Sequence, residues 1–202
     1  MNDYQEQQLN ALLTVKKGLE RLPTEKRREL LKSIQPYLQF RETVDAFLHC
    51  YFHQVCTKTC YESRTSACCS KDGILTFFAD TVIEALCSTT ERLNCLESRL
   101  REVNRGHRCI YLANDGCLWT VRPVVCAMFL CDKAMDGVFT AFPEAQRRWN
   151  TLRRQEKLYK WPDRPVLFDD LEKVFLRLGL RSSLMHLNFS PGLLHIKKKA
   201  GY

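Results

Sequence analysis

The sequence predicts a mostly α-helical fold that carries a small cysteine-rich β-hairpin. Apolar residues recur at helical spacing through most of the chain, which is typical of helices with one buried face. Between two runs of apolar and aromatic residues, Asn114-Asp115-Gly116 is a strong signal for a hairpin turn. The chain also contains 11 cysteines, and most of them lie in two short segments. These three observations define the elements that follow.

Helical spacing and local start and stop signals predict the helices. Thr24 is a plausible N-cap for the second helix, and Pro36 falls in the first turn of the third. A capping-box pattern over 88–91 starts a fresh helix at Thr89, and Gly179 should end the last one. The predicted helices cover residues 3–22, 25–35, 36 to about 56, 73–87, 89–103, 142–159 and 167–178.

The stretch from Cys109 to Cys131 contains four of the cysteines. Cys109, Cys117, Cys126 and Cys131 are separated by 7, 8 and 4 residues. The predicted hairpin places a cysteine near each of its two strands. Pro123 fits the first turn of a short helix or tight loop that carries Cys126 and Cys131.

A second cluster of cysteines lies upstream, between residues 56 and 69. Thiolates are natural ligands of zinc, copper(I) and iron–sulfur clusters, because soft sulfur matches these centres. Eight cysteines in two short segments exceed what packing needs, so we interpret the hairpin and its surroundings as a metal-binding core. The sequence leaves open whether they hold one centre or two. The predicted metal ligands are Cys56, Cys60, Cys68, Cys69, Cys109, Cys117, Cys126 and Cys131.

Two other interpretations of the cysteines are weaker. Free cysteines are often small buried hydrophobes, and this suits Cys50, Cys87 and Cys95, which stand alone in helical contexts. A disulfide framework is disfavoured because 11 is an odd number, no signal peptide is visible, and 202 residues can build their own core.

Composition indicates one globular domain over residues 1–202. We divide it into N-terminal helices (1–55), a cysteine-cluster core (56–131) and C-terminal helices with a basic tail (132–202). Apolar and charged residues make up 45% and 27% of the chain, and the longest apolar run, Val124 to Cys131, is far too short to span a membrane. We therefore expect a cytoplasmic protein without a membrane partner, since a reducing compartment keeps thiols available for a metal.

The formal net charge of +8 bears on possible partners. Basic residues are densest over 99–108 and in Lys197-Lys198-Lys199, and such a density of positive charge attracts acidic proteins and nucleic acid. Solvated helix faces explain most of the other charges. We expect a metal ion or cluster as the main partner, an acidic or protein partner as a further one, and nucleic acid as the least favoured.

Three other side chains are candidates for the site. His49 and His53 lie one helical turn apart, a spacing at which two imidazoles can share a metal, and His53 precedes Cys56 by three residues. More often such histidines cap or pack. The guanidinium of Arg122 is a candidate cofactor-binding group that would neutralise thiolate charge or bind a carboxylate or phosphate. The alternative for Arg122 is an ion pair with a surface acid such as Asp115 or Asp132.

At these residues the chain resembles the YkgJ family of cysteine-cluster proteins, which are described as zinc- or iron-chelating. The family's downstream element is matched by Cys109 with Leu112, Gly116-Cys117, Arg122-Pro123, Cys126 and Cys131. Its upstream element, C-x-x-C-x-x-C-C, is matched more loosely, because seven residues separate Cys60 from Cys68-Cys69. The resemblance covers roughly residues 56–131 and implies a chelating role for the matched cysteines.

Three functions follow from these patterns. The first is a metal-binding protein with a structural or redox-active centre. Iron–sulfur is favoured over zinc, since the cysteines outnumber the ligands that one zinc ion needs. The second is a modifying enzyme, such as a methyltransferase, because a related cysteine cluster occurs in a flagellin lysine methylase. No S-adenosylmethionine pocket is recognisable in the sequence. The third is a nucleic-acid-binding regulator that senses metal or redox state.

Overall fold

The fold was analysed in a computed structural model, which describes residues 3–62, 68–69, 76–104, 106–114, 116–160 and 166–185. Most of these residues are helical, which confirms that the fold is mostly α-helical. The α-helices are α1 (Asp3–Arg21), α2 (Thr24–Ser33), α3 (Gln35–Phe52), α4 (Phe78–Cys87), α5 (Thr90–Arg101), α6 (Val124–Ala127), α7 (Asp132–Ala141), α8 (Pro143–Lys160) and α9 (Leu167–Arg177). A π-helix, His53–Tyr61, continues directly from α3.

The hairpin forms where the turn signal predicted it. Strands β1 (Leu112–Ala113) and β2 (Gly116–Cys117) are antiparallel, with Leu112 opposite Cys117 and Ala113 opposite Gly116. Gly116 has a φ of 125°, a conformation that side-chain-bearing residues rarely adopt, so the glycine is required at this point of the turn. Asp115, the middle residue of the predicted turn, lies outside the described residues.

Several helix boundaries also agree with the sequence signals. The hydroxyl of Thr89 accepts a hydrogen bond from the backbone N–H of Arg92, as expected of an N-cap. Gly179 follows α9 with a φ of 73°, the left-handed conformation typical of a helix end. The cap predicted at Thr24 is wrong, because Thr24 is the first helical residue and Pro23 precedes it. The helix predicted over 73–87 begins at Phe78, and residues 73–75 lie outside the described residues.

Two elements were not predicted. Helix α7 has few sequence signals, since Cys131 stands at its N-cap, Gly137 interrupts it, and only Ala134 and Val138 are buried. The π-helix was expected to be the end of an ordinary helix. Its wider hydrogen bonding is seen where the backbone N–H of Glu62 donates to the Thr57 carbonyl, five residues earlier, at 2.9 Å. Segments of π-helix are rare and frequently occur at functional sites.

The main core lies where α4 packs against α1 and α9, with α3 and α8 completing it. Helix α4 is buried on nearly all sides, from Phe78 to Ala85. A smaller core supports the hairpin and is separate from the first. It contains Leu9 and Leu12 of α1, Leu96 and Leu100 of α5, and the hairpin neighbours Ile110, Tyr111, Leu118 and Trp119. Because α1 contributes to both cores, the hairpin has a fixed place beside the helical bundle.

Within the described ranges, no helix has the length and apolar character needed to cross a membrane. The division of one domain into N-terminal helices (1–55), a cysteine-cluster core (56–131) and C-terminal helices with a tail (132–202) stays a prediction.

Gly18 marks the closest approach between α1 and α9. A Cβ at this position would overlap the ring of Phe175, which is fully buried and packs edge-on against Phe78. We expect Gly18→Ala to lower the free energy of unfolding by about 1–3 kcal/mol, since overpacking outweighs the gain in helix propensity. Urea denaturation measures this change.

Gly137 provides the matched control, because nothing lies within 4 Å of the Cβ that it would gain in α7. Gly137→Ala is expected to raise the free energy of unfolding by about 0.5–1 kcal/mol through helix propensity alone. Equal effects of the two substitutions would show that α1 and α9 do not pack as described.

Candidate metal centre

Six of the eight predicted ligand cysteines line one cleft of about 650 Å³, which we name the thiol cleft. They come from separate parts of the chain that the fold brings together. The π-helix contributes Cys56, the hairpin region Cys109 and Cys117, and α6 Cys126. The remaining two are the adjacent pair Cys68-Cys69.

Two of the eight predicted ligands, Cys60 and Cys131, do not line the thiol cleft, although both lie in the described part of the chain. They are close enough to Cys56 to contribute to its electrostatic environment. The three solitary cysteines were interpreted as buried, which is wrong for two of them. Cys50 and Cys95 are exposed, whereas Cys87 is partly buried.

Hydrogen bonds between described residues join the upstream and downstream cysteine segments. The backbone N–H of Cys109 donates to the carbonyl oxygen of Cys69 at 2.8 Å. The phenol of Tyr61, at the end of the π-helix, donates to the carbonyl oxygen of Asn114 at 2.9 Å. Both bonds connect residues that are distant in sequence, so they set where the two segments meet.

Backbone N–H groups approach two of the sulfur atoms. The N–H of Tyr111 donates to the Sγ of Cys109 at 3.4 Å, and backbone hydrogen bonding at Trp119 acts in the same way on Cys117. Hydrogen bonds of this kind stabilise a thiolate and tune metal centres that contain sulfur ligands. Around Cys109 they do not outweigh burial, which raises the pKa of its thiol to about 12.

Burial likewise raises the pKa of Cys126 to about 12 and that of Cys56 to about 11. These thiols therefore hold their protons at neutral pH unless a cation replaces them, and binding of a thiophilic cation would release protons. Cys68 and Cys69 behave differently because their side chains hydrogen-bond to each other. That bond raises the pKa of Cys68 and lowers the pKa of Cys69, which makes Cys69 the more nucleophilic sulfur of the pair.

Two buried carboxylates on α4 hold the backbone that links the hairpin to α6. Glu84 accepts hydrogen bonds from the N–H groups of Thr120, at 2.9 Å, and Val121, at 2.8 Å. Asp80, one turn earlier, accepts from the N–H of Val124 at 3.0 Å. Both side chains are at most 2% exposed. They fix the segment that connects Cys117 to Cys126.

A buried arginine acts on the same segment. The guanidinium of Arg41, only 3% exposed, donates to the carbonyl oxygen of Arg122 and to the hydroxyl of Tyr37. On the other side, Arg92 and Arg99 of α5 donate to the carbonyl oxygens of Cys117 and Ile110, at 3.2 and 3.0 Å. Backbone carbonyl oxygens of the hairpin region and of the segment after it thus accept hydrogen bonds from charged arginines. These bonds limit the movement of the backbone there.

Arg122 lines the thiol cleft, where it was expected to neutralise thiolate charge. Its guanidinium forms an ion pair with Asp45 of α3 at 2.7 Å, and both side chains are about half exposed. The sequence offered pairing with a surface acid as the alternative, and the structure shows such a pair with a different acid from the two suggested. Asp45 lies 77 residues away in the chain, and only the fold brings it close. Asp115 lies outside the described residues. The positive charge of Arg122 lowers the pKa of Cys126, but burial and Asp80 outweigh it.

Sequence reasoning missed most of the supporting residues. Asp80 and Glu84 did have a recognisable signal, because two acids one turn apart interrupt an otherwise apolar helix. Tyr61, Arg41 and Asp45 had none, since their partners are distant in sequence. His49 and His53, weighed as candidate ligands, both line the thiol cleft.

The donors fit a thiophilic ion or cluster by chemistry, but they are not assembled as a finished coordination sphere. Among the residues that the structure describes, no three His, Cys, Asp or Glu side chains are arranged to hold one metal ion. The thiols share a cleft, and any centre would draw them closer together. We found no matching family model, curated protein or solved structure for this chain. The likeness to YkgJ proteins therefore stays an expectation.

The role of Glu84 can be tested by Glu84→Gln. The amide retains one acceptor and brings an NH₂ group next to two backbone donors, so we expect a loss of about 2–3 kcal/mol in the free energy of unfolding. Glu42, exposed on α3, gives the matched control, and Glu42→Gln should change that free energy by less than about 0.5 kcal/mol. Similar small losses for both variants in urea denaturation would contradict this account of the 120–121 segment.

Proposed function

We propose that this chain binds an iron–sulfur cluster or a zinc ion through the cysteines of the thiol cleft, in a structural or redox role. The observation that carries the proposal is the meeting of six thiols from two distant sequence segments along one cleft. Six thiols exceed the four ligands that either a structural zinc ion or one iron–sulfur cluster takes, so the cleft has thiols to spare for either centre, and we take the iron–sulfur cluster as the first candidate. A bound cluster would supply one-electron transfer, whereas a structural zinc ion would only cross-link the chain segments that bind it.

The chain's own residues have distinct roles in this proposal. Cys109, Cys117 and Cys126 lie on the wall that α4 and α5 support, and they are the primary ligand candidates. Cys69 completes a set of four, because its backbone bond to Cys109 keeps it beside them. Its lowered pKa also makes it the thiol that most readily gives up a proton. Arg122 would offset part of the negative charge of a thiolate-bound centre.

The size of the thiol cleft supports a second candidate function. A volume of about 650 Å³ lies within the range of small-molecule sites and exceeds what an ion or a small cluster fills. Apolar side chains such as Trp119 and Phe129 line it together with Arg122. These features favour a modifying enzyme in which the metal centre adjoins a substrate pocket.

We extend the proposal to the location of the protein and to its partners. Reduced thiols of this number need a reducing compartment, so we infer a cytoplasmic location. The net charge of +8 favours an acidic partner, such as an acidic protein surface. A less favoured alternative is that this protein senses metal or redox state and binds nucleic acid. Membership of the YkgJ-type cysteine-cluster proteins would be consistent with each of these roles.

Metal and acid-labile sulfide analysis of protein purified without oxygen tests the central proposal. We expect iron and sulfide together with visible absorption, and loss of both in Cys117→Ser and Cys126→Ser. Cys95, exposed on α5 and not part of the thiol cleft, provides the control, and Cys95→Ser should leave the contents unchanged. A colourless protein that contains one zinc ion would indicate a structural zinc site and no iron–sulfur cluster. If the protein contains no metal and its cysteines react as free thiols, the proposal is wrong.

The two cysteines that do not line the cleft provide a separate test of ligand choice. We expect Cys60→Ser and Cys131→Ser to retain the metal content of the unaltered protein, because their thiols lie off the thiol cleft. Cys69→Ser should lower it. Loss of metal in Cys131→Ser with retention in Cys69→Ser would assign the ligands to a different set.

A further inference from the structure

His49 and His53 form a pair on the wall of the thiol cleft. The side chain of His49 is exposed, and that of His53 is partly buried. His49 lies in the last turn of α3, and His53 is the first residue of the π-helix. Their ring centroids are 4.9 Å apart, and both side chains line the cleft. Neither imidazole hydrogen-bonds to or forms an ion pair with another residue in the described part of the chain.

The separation of the rings matches that of two imidazoles on one metal ion. Zinc binds imidazole nitrogen at about 2.0–2.1 Å, so two rings on one tetrahedral ion have centroids about 5 Å apart. The backbone between the histidines is continuously helical, which fixes both Cα positions before an ion arrives. Little conformational entropy is then lost when the pair binds a metal.

The neighbouring acid does not belong to this pair. Asp45 lies one turn before His49 and also lines the thiol cleft, but its carboxylate is engaged by Arg122 at 2.7 Å. An ion held there would keep its other coordination positions open to water or to a molecule in the cleft.

We propose that His49 and His53 form a second metal site, distinct from the thiol centre, that binds a divalent transition-metal ion of the imidazole-preferring class such as Zn²⁺, Ni²⁺ or Cu²⁺. Neutral imidazole suits all three of these ions, whereas soft thiolates suit zinc, copper(I) and iron–sulfur clusters. Two ligands make a weak and exchangeable site. The proposal does not rest on the thiol centre, because it uses none of its ligands.

The experiment follows imidazole resonances by NMR in ¹⁵N-histidine-labelled full-length protein during titration with Zn²⁺. We expect the resonances of His49 and His53 to shift with one common midpoint. Exposed His107, which does not line the thiol cleft, is the internal reference and should respond differently or not at all. The same paired shift is expected in the Cys117→Ser/Cys126→Ser variant, which separates this site from the thiol centre.

Substitutions decide whether the two imidazoles act together. His49→Gln should abolish the shift of His53 at the same Zn²⁺ concentrations, and His53→Gln should abolish that of His49, while His107→Gln changes neither. A remaining imidazole that titrates at its original midpoint would overturn the proposal, as would two unresponsive resonances. Loss of the His53 response in Cys56→Ser but not in His49→Gln would also overturn it, because His53 would then belong to the thiol centre.

Discussion

Two buried carboxylates on one helix are the constraint on which the rest of the structure depends. Asp80 and Glu84 lie one turn apart on α4, which packs against both α1 and α9. Burial of an ionised carboxylate costs several kcal/mol unless hydrogen bonds compensate, and here five donors do so. Burial still raises the pKa of Asp80 to about 6. The compensation comes mainly from the backbone of the segment between the hairpin and α6, so that segment and α4 are one unit.

This arrangement gives the thiol cleft two walls of different character. One wall carries Cys109, Cys117 and Cys126 and is held by buried carboxylates, arginines and the smaller core. The other carries Cys56 and Cys69 and is joined to the first through the bonds of Tyr61 and Cys69. A metal centre between the walls would add a further link between them. Burial raises the pKa of Cys56, Cys109 and Cys126, and thiols of this kind suit a site that is completed by its cation.

Local signals in the sequence were sufficient for several elements, including the hairpin of the site. The turn at Gly116, the cap at Thr89 and the end at Gly179 each depend on backbone chemistry within a few residues, and each was confirmed. Helix α7 and the π-helix were missed, since α7 lacks a polar cap and hydrogen bonding five residues back has no periodicity signal distinct from an α-helix. Short-range patterns therefore located the secondary structure but not its irregular parts.

The composition of the cleft was predictable in part. Crowding of cysteines identified the six thiols that line it, yet spacing alone did not separate Cys60 and Cys131 from those six. The ion pair between Arg122 and Asp45, and the anchoring of residues 120–124 by α4, depend on contacts across the fold. Such contacts are encoded by the packing of whole helices, so no local pattern contains them.

X-ray absorption at the metal edge of the anaerobically purified protein tests the central claim most directly. The account predicts a first coordination shell dominated by sulfur, with a second metal at short distance for a cluster, or with sulfur at about 2.3 Å alone for zinc. A first shell of nitrogen and oxygen only would contradict it, because the thiols of the cleft would then not be the ligands.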